Sequence, residues 1–234
     1  MFKPLRQSIF DRTTAHVFIA LRKMKIQFKN VCPYVFDELS LKSDIWNNDF
    51  TIEGGMRYQV HGPSGRGKTS FLSYLQGYRR DYRGEVFING QPIFELKIDE
   101  WVKLRSEKIT TIFQDLQLIE KLSVSENLSL IPKFAEGYDL SKAKKMLNFL
   151  GMEEKYDERV ETLSFGQKQR VAIIRSLCKP FELLVCDEPF SHLDEINKAK
   201  CVELIENRLK EASAGIVLTT LDGEKQLDLK SIHL

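Results

Sequence analysis

One ten-residue stretch, HGPSGRGKTS at 61–70, limits the possible folds of this chain more than any other feature. Crowded glycine and proline are what a tight turn uses, and Gly62, Pro63, Gly65 and Gly67 all fall here. A turn leaves the register unexplained. Gly62, four residues, then Gly67-Lys68-Thr69 is the phosphate-binding loop pattern G-x-x-x-x-G-K-[ST]. Glycines let backbone N–H groups close around a pyrophosphate, and the helix that follows turns its positive end toward the same anion. Lys68 then reaches the terminal phosphates and Thr69 holds Mg²⁺. Candidate nucleotide contacts are Gly62, Pro63, Ser64, Gly65, Arg66, Gly67, Lys68, Thr69 and Ser70. The loop by itself does not choose among kinases, GTPases and motor ATPases.

The remaining composition excludes more than it assigns. The chain has 234 residues, 42% hydrophobic and 29% charged, enough for one large domain or a core with an inserted lobe. A net charge of +2, with aromatics not interleaved along a basic stripe, gives no case for nucleic acid as a partner. Cys32, Cys178, Cys186 and Cys201 form no C-x-x-C pair and no zinc spacing, so reduced thiols in a cytosolic compartment are expected. Cys186 lies in an apolar run and reads as core filler. No uninterrupted apolar stretch approaches the length of a membrane span, so any membrane role runs through a partner.

Residues 1–23 carry Lys3, Arg6, Arg12, Arg22 and Lys23 against Asp11, without the apolar centre or cleavage site of a signal peptide. MKIQFKNV from Met24 reads as a natural beginning. The expectation is an N-terminal extension at 1–23, either a flexible appendage or the product of an upstream start codon; a basic segment touching lipid is the other reading. Residues 24–234 are expected to form one domain.

Strands are expected at IQFKNV, at DFTIEG (49–54), and at RYQVHG just before the loop. SFLSYLQGY is helical in period, GEVFINGQP reads as a hairpin turning at Asn89-Gly90, and ITTIFQD is a strand ending near Gln114. LSVSENLSLIP and SKAKKMLNFLGM are helical, the second with Ser141 as N-cap and Gly151 as its close. RVAIIRSLCK and KAKCVELIENRLKEA are helices around the short apolar strand FELLVCDEP, and AGIVLTT is a final buried strand. Strands alternate with helices at both ends while 116–178 is mostly helical. The fold class is therefore α/β, with a helical insertion.

Two further segments carry chemistry. LLVCDEP puts four apolar residues before Asp187 and Glu188, so a buried strand delivers two carboxylates to the edge of a parallel sheet where ligands bind. Asp187 suits Mg²⁺ through water, and Glu188 suits orienting or deprotonating a water for in-line attack on phosphorus. LSFGQKQRVAIIRSL (163–177) places Ser164 and Gly166 at a helix start, a second anion site in the same chain. Ser164 with Gln167 three residues on also makes a capping box; the position of the segment, 20 residues before the Asp187 strand, favours the anion reading.

Phosphate loop, Gln114 after a strand, LSFGQ, LLVCDEP, then SHLD at 191–194, in that order, resemble the nucleotide-binding subunit of an ATP-binding cassette (ABC) transporter. The resemblance covers Met24 to about Asp222. Residues 90–132 are further similar to the branch that includes lipoprotein-release, macrolide-export and cell-division ATPases. The resemblance implies a P-loop NTPase core with a mostly parallel sheet, an antiparallel β subdomain and an inserted helical subdomain at about 116–178. It implies a head-to-tail homodimer, or a pair with another ABC ATPase, closed around two Mg²⁺·ATP. Each ATP would meet one copy's phosphate loop and the other's Ser164, Gly166 and Gln167. Gln114 would sense Mg²⁺ and the attacking water, Asp194 would cross to the opposite site, and Tyr34 is the candidate to stack on adenine, with a core tyrosine as the alternative. The implied partner is an integral-membrane permease, with this subunit peripheral on the inner face of the cell membrane.

Two positions depart from the family pattern. Phe165 stands where the family usually has its first signature glycine, and Leu221, in TTLD at 219–222, stands where it has a histidine that contacts the γ-phosphate. Loss of one such contact costs about 10² to 10³ in rate, so slow hydrolysis is expected with Lys68, Asp187 and Glu188 intact. His192 is the histidine placed to approach the γ-phosphate from the other copy. The competing expectation is an ATP-gated switch that binds without turnover; a nucleoside kinase fits the loop but not LSFGQ or the Asp187-Glu188 pair.

Overall fold

The computed structural model describes residues 24–36, 42–130, 140–221 and 223–234. The expected extension at 1–23 and Asp222 lie outside the described residues.

Two sheets divide the chain. β1 (Lys25–Pro33), β2 (Phe50–Glu53), β4 (Tyr82–Ile88) and β5 (Gln91–Pro92) form an antiparallel sheet in the order β2-β1-β4-β5. Asn89 and Gly90, both left-handed at φ 53° and 85°, make the two-residue turn between β4 and β5. β3 (Arg57–His61), β6 (Ile109–Ile112), β7 (Leu183–Asp187), β8 (Gly215–Thr220) and β9 (Lys230–His233) form a parallel sheet in the order β6-β7-β8-β3-β9. β9 was not among the expected strands. It pairs with β3 from Tyr58↔Lys230 to His61↔His233 and stacks His233 on His61 at 5.6 Å.

The parallel sheet separates two apolar cores, and the two-residue period of its strands assigns side chains to each. Leu184, Cys186, Ile216 and Leu218 face a core shared with the helices α3 (Val124–Ser129), α4 (Leu140–Phe149), α5 (Phe165–Leu177) and α6 (Glu195–Ala212). Leu183, Val185 and Val217 face a second core shared with β1, β4 and α1 (Lys68–Leu75). All five residues of β7 are buried, as its unbroken apolar run predicts. The short helix α2 (Ile98–Lys103) leads through Leu104–Lys108 into β6.

Helix ends follow the sequence with one correction. Ser123 caps α3 by accepting from the Glu126 N–H at 3.1 Å while the Glu126 carboxylate accepts from the Ser123 N–H at 2.7 Å. Gly151 closes α4 at φ 65°. Ser141 is not the N-cap of α4, because the helix already includes Leu140. All four cysteines are reduced and buried; desolvation, with Asp187 adjacent, raises the Cys186 thiol well above its usual range.

Candidate nucleotide site

The site is built where the parallel strands β3, β6, β7 and β8 end. β3 ends at His61 and the chain runs at once through exposed Pro63, Ser64, Gly65 and Arg66 into α1. Gly67, the residue before α1, has φ 91°, which a side chain resists, and the room is closed as well: a Cβ there would meet Phe36 at 3.0 Å and Trp46 at 3.1 Å. The Trp46 indole N–H donates to the Arg66 carbonyl at 3.1 Å, so two aromatic residues far back in sequence brace the loop. Sequence reasoning missed both. Phe36 is the ring packed on the loop, and Tyr34, the adenine candidate, is 57% exposed, its backbone N–H donating to the Asp81 carbonyl at 3.1 Å.

Lys68 opens α1 and is buried, its ammonium donating to the Gly62 carbonyl at 2.6 Å and the Pro63 carbonyl at 3.4 Å. That places a cation inside the loop, beside a helix start whose first N–H groups have no intrahelical acceptor. The Thr69 hydroxyl donates to Asp187 Oδ2 at 3.0 Å, which joins the loop helix to the acidic end of β7. Ser70, by contrast, is engaged away from the loop, accepting from Arg79 Nη1 at 3.0 Å.

Asp187 is buried and its second oxygen is also bonded, accepting from the Thr219 hydroxyl at 2.6 Å. Glu188 follows in the left-handed region at φ 46°, so the chain turns sharply where the strand stops and Glu188 is only half buried. Gln114 stands two residues beyond Ile112, whose register partner is Cys186, and Glu188 stands two beyond Cys186. The two residues therefore leave neighbouring strands at the same level, and Gln114 is exposed.

Ser164 and Gln167 form the capping box that the anion reading had set aside. The Ser164 hydroxyl accepts from the Gln167 N–H at 3.3 Å, and the Gln167 side chain accepts from the Ser164 N–H at 2.8 Å. The cap leaves both residues at the exposed tip of α5, next to Phe165. Gly166 is required there by a close approach: a Cβ would meet the His192 carbonyl at 3.0 Å. Buried Gln169, another residue the sequence reading missed, donates to the Pro189 carbonyl at 2.7 Å and accepts from the His192 N–H at 3.2 Å. It ties α5 to the loop after β7. Asp194 caps α6, both oxygens engaged by Asn197, and these bonds, the backbone N–H foremost, hold its carboxyl below the usual range. Leu221 is half exposed and, as its apolar side chain dictates, offers no donor.

The residues suit Mg²⁺·ATP. No cluster of three or more His, Cys, Asp or Glu capable of holding a metal occurs among the described residues. Magnesium binds through one or two protein oxygens plus phosphate and water, and a paired Thr69 hydroxyl and Asp187 carboxylate supply that set. No helix among the described residues is long and apolar enough to cross a membrane.

Residues 45–191 match the ABC transporter family, and the chain belongs to it. It is an ATP-binding cassette of the ABC ATPase class with the P-loop fold. Over 201 residues it is 36% identical to the macrolide export ATP-binding/permease protein MacB of Campylobacter jejuni, covering 84% of this chain and 30% of that protein; MacB of a second strain matches equally. The chain thus spans under a third of the length of these relatives. Among solved structures it resembles the dimeric MJ0796, a bacterial ABC transporter cassette, at 28% identity and TM-score 0.69 over 83% of this chain and 87% of that one. The dimeric post-hydrolysis state of MJ0796 bound to ADP and phosphate matches at 28% identity and TM-score 0.71, over 84% and 88%.

Proposed function

We propose that two copies of this cassette close head to tail around two Mg²⁺·ATP, hydrolyse them, and so drive a separate integral-membrane permease. The observation that carries this reading is the Thr69–Asp187 hydrogen bond at 3.0 Å. It brings phosphate loop and acidic strand end into one site, with Glu188 next in the chain. Gly62 to Ser70 hold the phosphates, Lys68 meets their negative charge, and Thr69, Asp187 and Gln114 face the metal. Magnesium, when bound, neutralises charge on the terminal phosphates. Glu188, with Gln114, orients a water and accepts its proton as the water's oxygen bonds to the γ-phosphorus and the bond to ADP breaks. Ser164, Gly166 and Gln167 of the other copy contact the γ-phosphate, Asp194 reaches across the interface, and Tyr34 stacks on adenine.

Dimerisation is supported by the dimeric cassettes that share this fold, and turnover by the one holding ADP and phosphate. A non-hydrolysing switch, which Leu221 raised as an expectation, gains no support from these relatives. A permease partner is supported by MacB, whose name joins ATP-binding and permease parts. A mostly apolar groove of about 460 Å³ lined by Tyr78, Val102, Phe113 and Arg175, next to Gln114, offers such a partner a seat. The test is Mg²⁺-dependent ATP hydrolysis by purified protein, alone and with its permease. Turnover abolished by Lys68→Ala supports the reading; none in either setting refutes it.

A further inference from the structure

We propose that Thr219 is a positioning residue of the hydrolytic site, its hydroxyl holding both Asp187 and Glu188 in working geometry; the inference rests on the function proposed above. Thr219 ends the run Gly215-Ile216-Val217-Leu218 of β8 and is wholly buried. A hydroxyl in such a place is costly unless it is bonded. It is bonded twice over. Thr219 and Asp187 are register partners on adjacent parallel strands, so their side chains emerge on the same face. There the Thr219 hydroxyl donates to Asp187 Oδ1 at 2.6 Å, a length typical of a charge-assisted bond, and accepts from the Glu188 N–H at 3.3 Å.

These two bonds have separable consequences. With Oδ1 held by Thr219, the Asp187 carboxylate is turned so that Oδ2 receives the Thr69 hydroxyl at 3.0 Å. Thr69 and Asp187 are the pair proposed to face the metal, and Thr219 stands behind them as the partner that fixes their rotation. The bond to the Glu188 N–H stabilises a residue whose backbone, at φ 46°, lies in a region disfavoured for a side chain. β8 ends at Thr220, and Leu221, the residue after it, presents no polar group and is half exposed. Thr219 thus gives β8 a hydroxyl bonded to both Asp187 and Glu188.

Thr219→Val keeps the volume and removes both bonds; Thr219→Ser keeps the hydroxyl and removes a methyl. Nucleotide binding is titrated against Mg²⁺ and in EDTA, and kcat and KM for Mg²⁺·ATP are measured on proteins first checked by thermal melting. The expected result for Thr219→Val is a rise of about 10- to 100-fold in the Mg²⁺ needed for half-saturation, the range for partners behind a metal ligand. A fall in kcat accompanies it, with binding in EDTA unchanged, and Thr219→Ser retains wild-type behaviour. Should the valine variant not fold, Thr219→Ala carries the same expectation. Wild-type Mg²⁺ dependence and kcat in Thr219→Val, or an equal loss in Thr219→Ser, overturns the proposal while wild-type turnover leaves the parent reading standing. A wild-type protein without Mg²⁺-dependent binding overturns both.

Discussion

The ring of Phe165 lies edge-on against the imidazole of His192, centroids 4.2 Å apart at an interplanar angle of 62°. A bulky residue at the second position of the helix tip is thereby used: it fastens α5 to the loop between β7 and α6, alongside the Gln169 bonds to the same loop. Aromatic pairs of this geometry contribute about 0.5–1.5 kcal/mol, and 1 kcal/mol shifts the melting of a chain this long by about 2–4 °C. Phe165→Gly is expected to lower Tm by about 2–5 °C in a thermal melt. An unchanged Tm would show that the pair contributes nothing.

Ser164 has two roles that one substitution separates. Asp caps a helix as well as Ser does, whereas Ser→Ala at a cap costs about 1 kcal/mol. Ser164→Asp is therefore expected to keep the melting temperature within about 1 °C while its carboxylate repels a phosphate and abolishes ATP-driven dimerisation, read by light scattering. Dimerisation at wild-type ATP concentrations would remove Ser164 from the γ-phosphate.

Glu188→Gln leaves shape and backbone strain in place and removes the proton acceptor. ATP hydrolysis is expected to fall by about 10²-fold or more, in line with losing a general base. A dimer that wild type does not accumulate is expected to persist on gel filtration in Mg²⁺·ATP. Equal dimer populations in both proteins would mean that wild type does not turn over.

Lys179 supplies a pH signature away from the nucleotide. Burial lowers its pKa from 10.5 to about 8, although its ammonium donates to the carbonyls of Arg105 and Ile109. Below the folded value both states bind the proton and the burial penalty is fully present. Between about 8 and 10.5 the unfolded chain binds more protons than the folded one, so this group's contribution to stability improves as pH rises through that window. Lys179→Met is expected to be more stable than wild type in urea at pH 7.5, with an advantage that shrinks by pH 9.5. An advantage constant across that range would mean that Lys179 is not perturbed by burial.

What the sequence made legible follows from how local each feature is. The phosphate loop, the buried run of β7 and the Asn89-Gly90 hairpin are written in consecutive residues, and the structure has all three. β9 was hidden because KSIH has only one buried residue and its partner β3 is more than 160 residues away. Thr219, Gln169 and Trp46 were hidden for a related reason: a buried polar side chain shows its role only when its partner does, and their partners are Asp187, Pro189 and Arg66. The LSFGQ segment was legible in part: Ser164 and Gln167 make the local capping box, whereas a contact with a phosphate held by another copy is not a property of consecutive residues.

The central claim, that each ATP is shared between copies, is tested most directly by mixing two inactive proteins, Lys68→Ala and Ser164→Asp. In a head-to-tail pair one site carries both defects and the other neither, so ATP hydrolysis and ATP-driven association should reappear on mixing. If the mixture stays as inactive as its components while wild type mixed with itself is active, the two copies do not share their sites and the account is wrong.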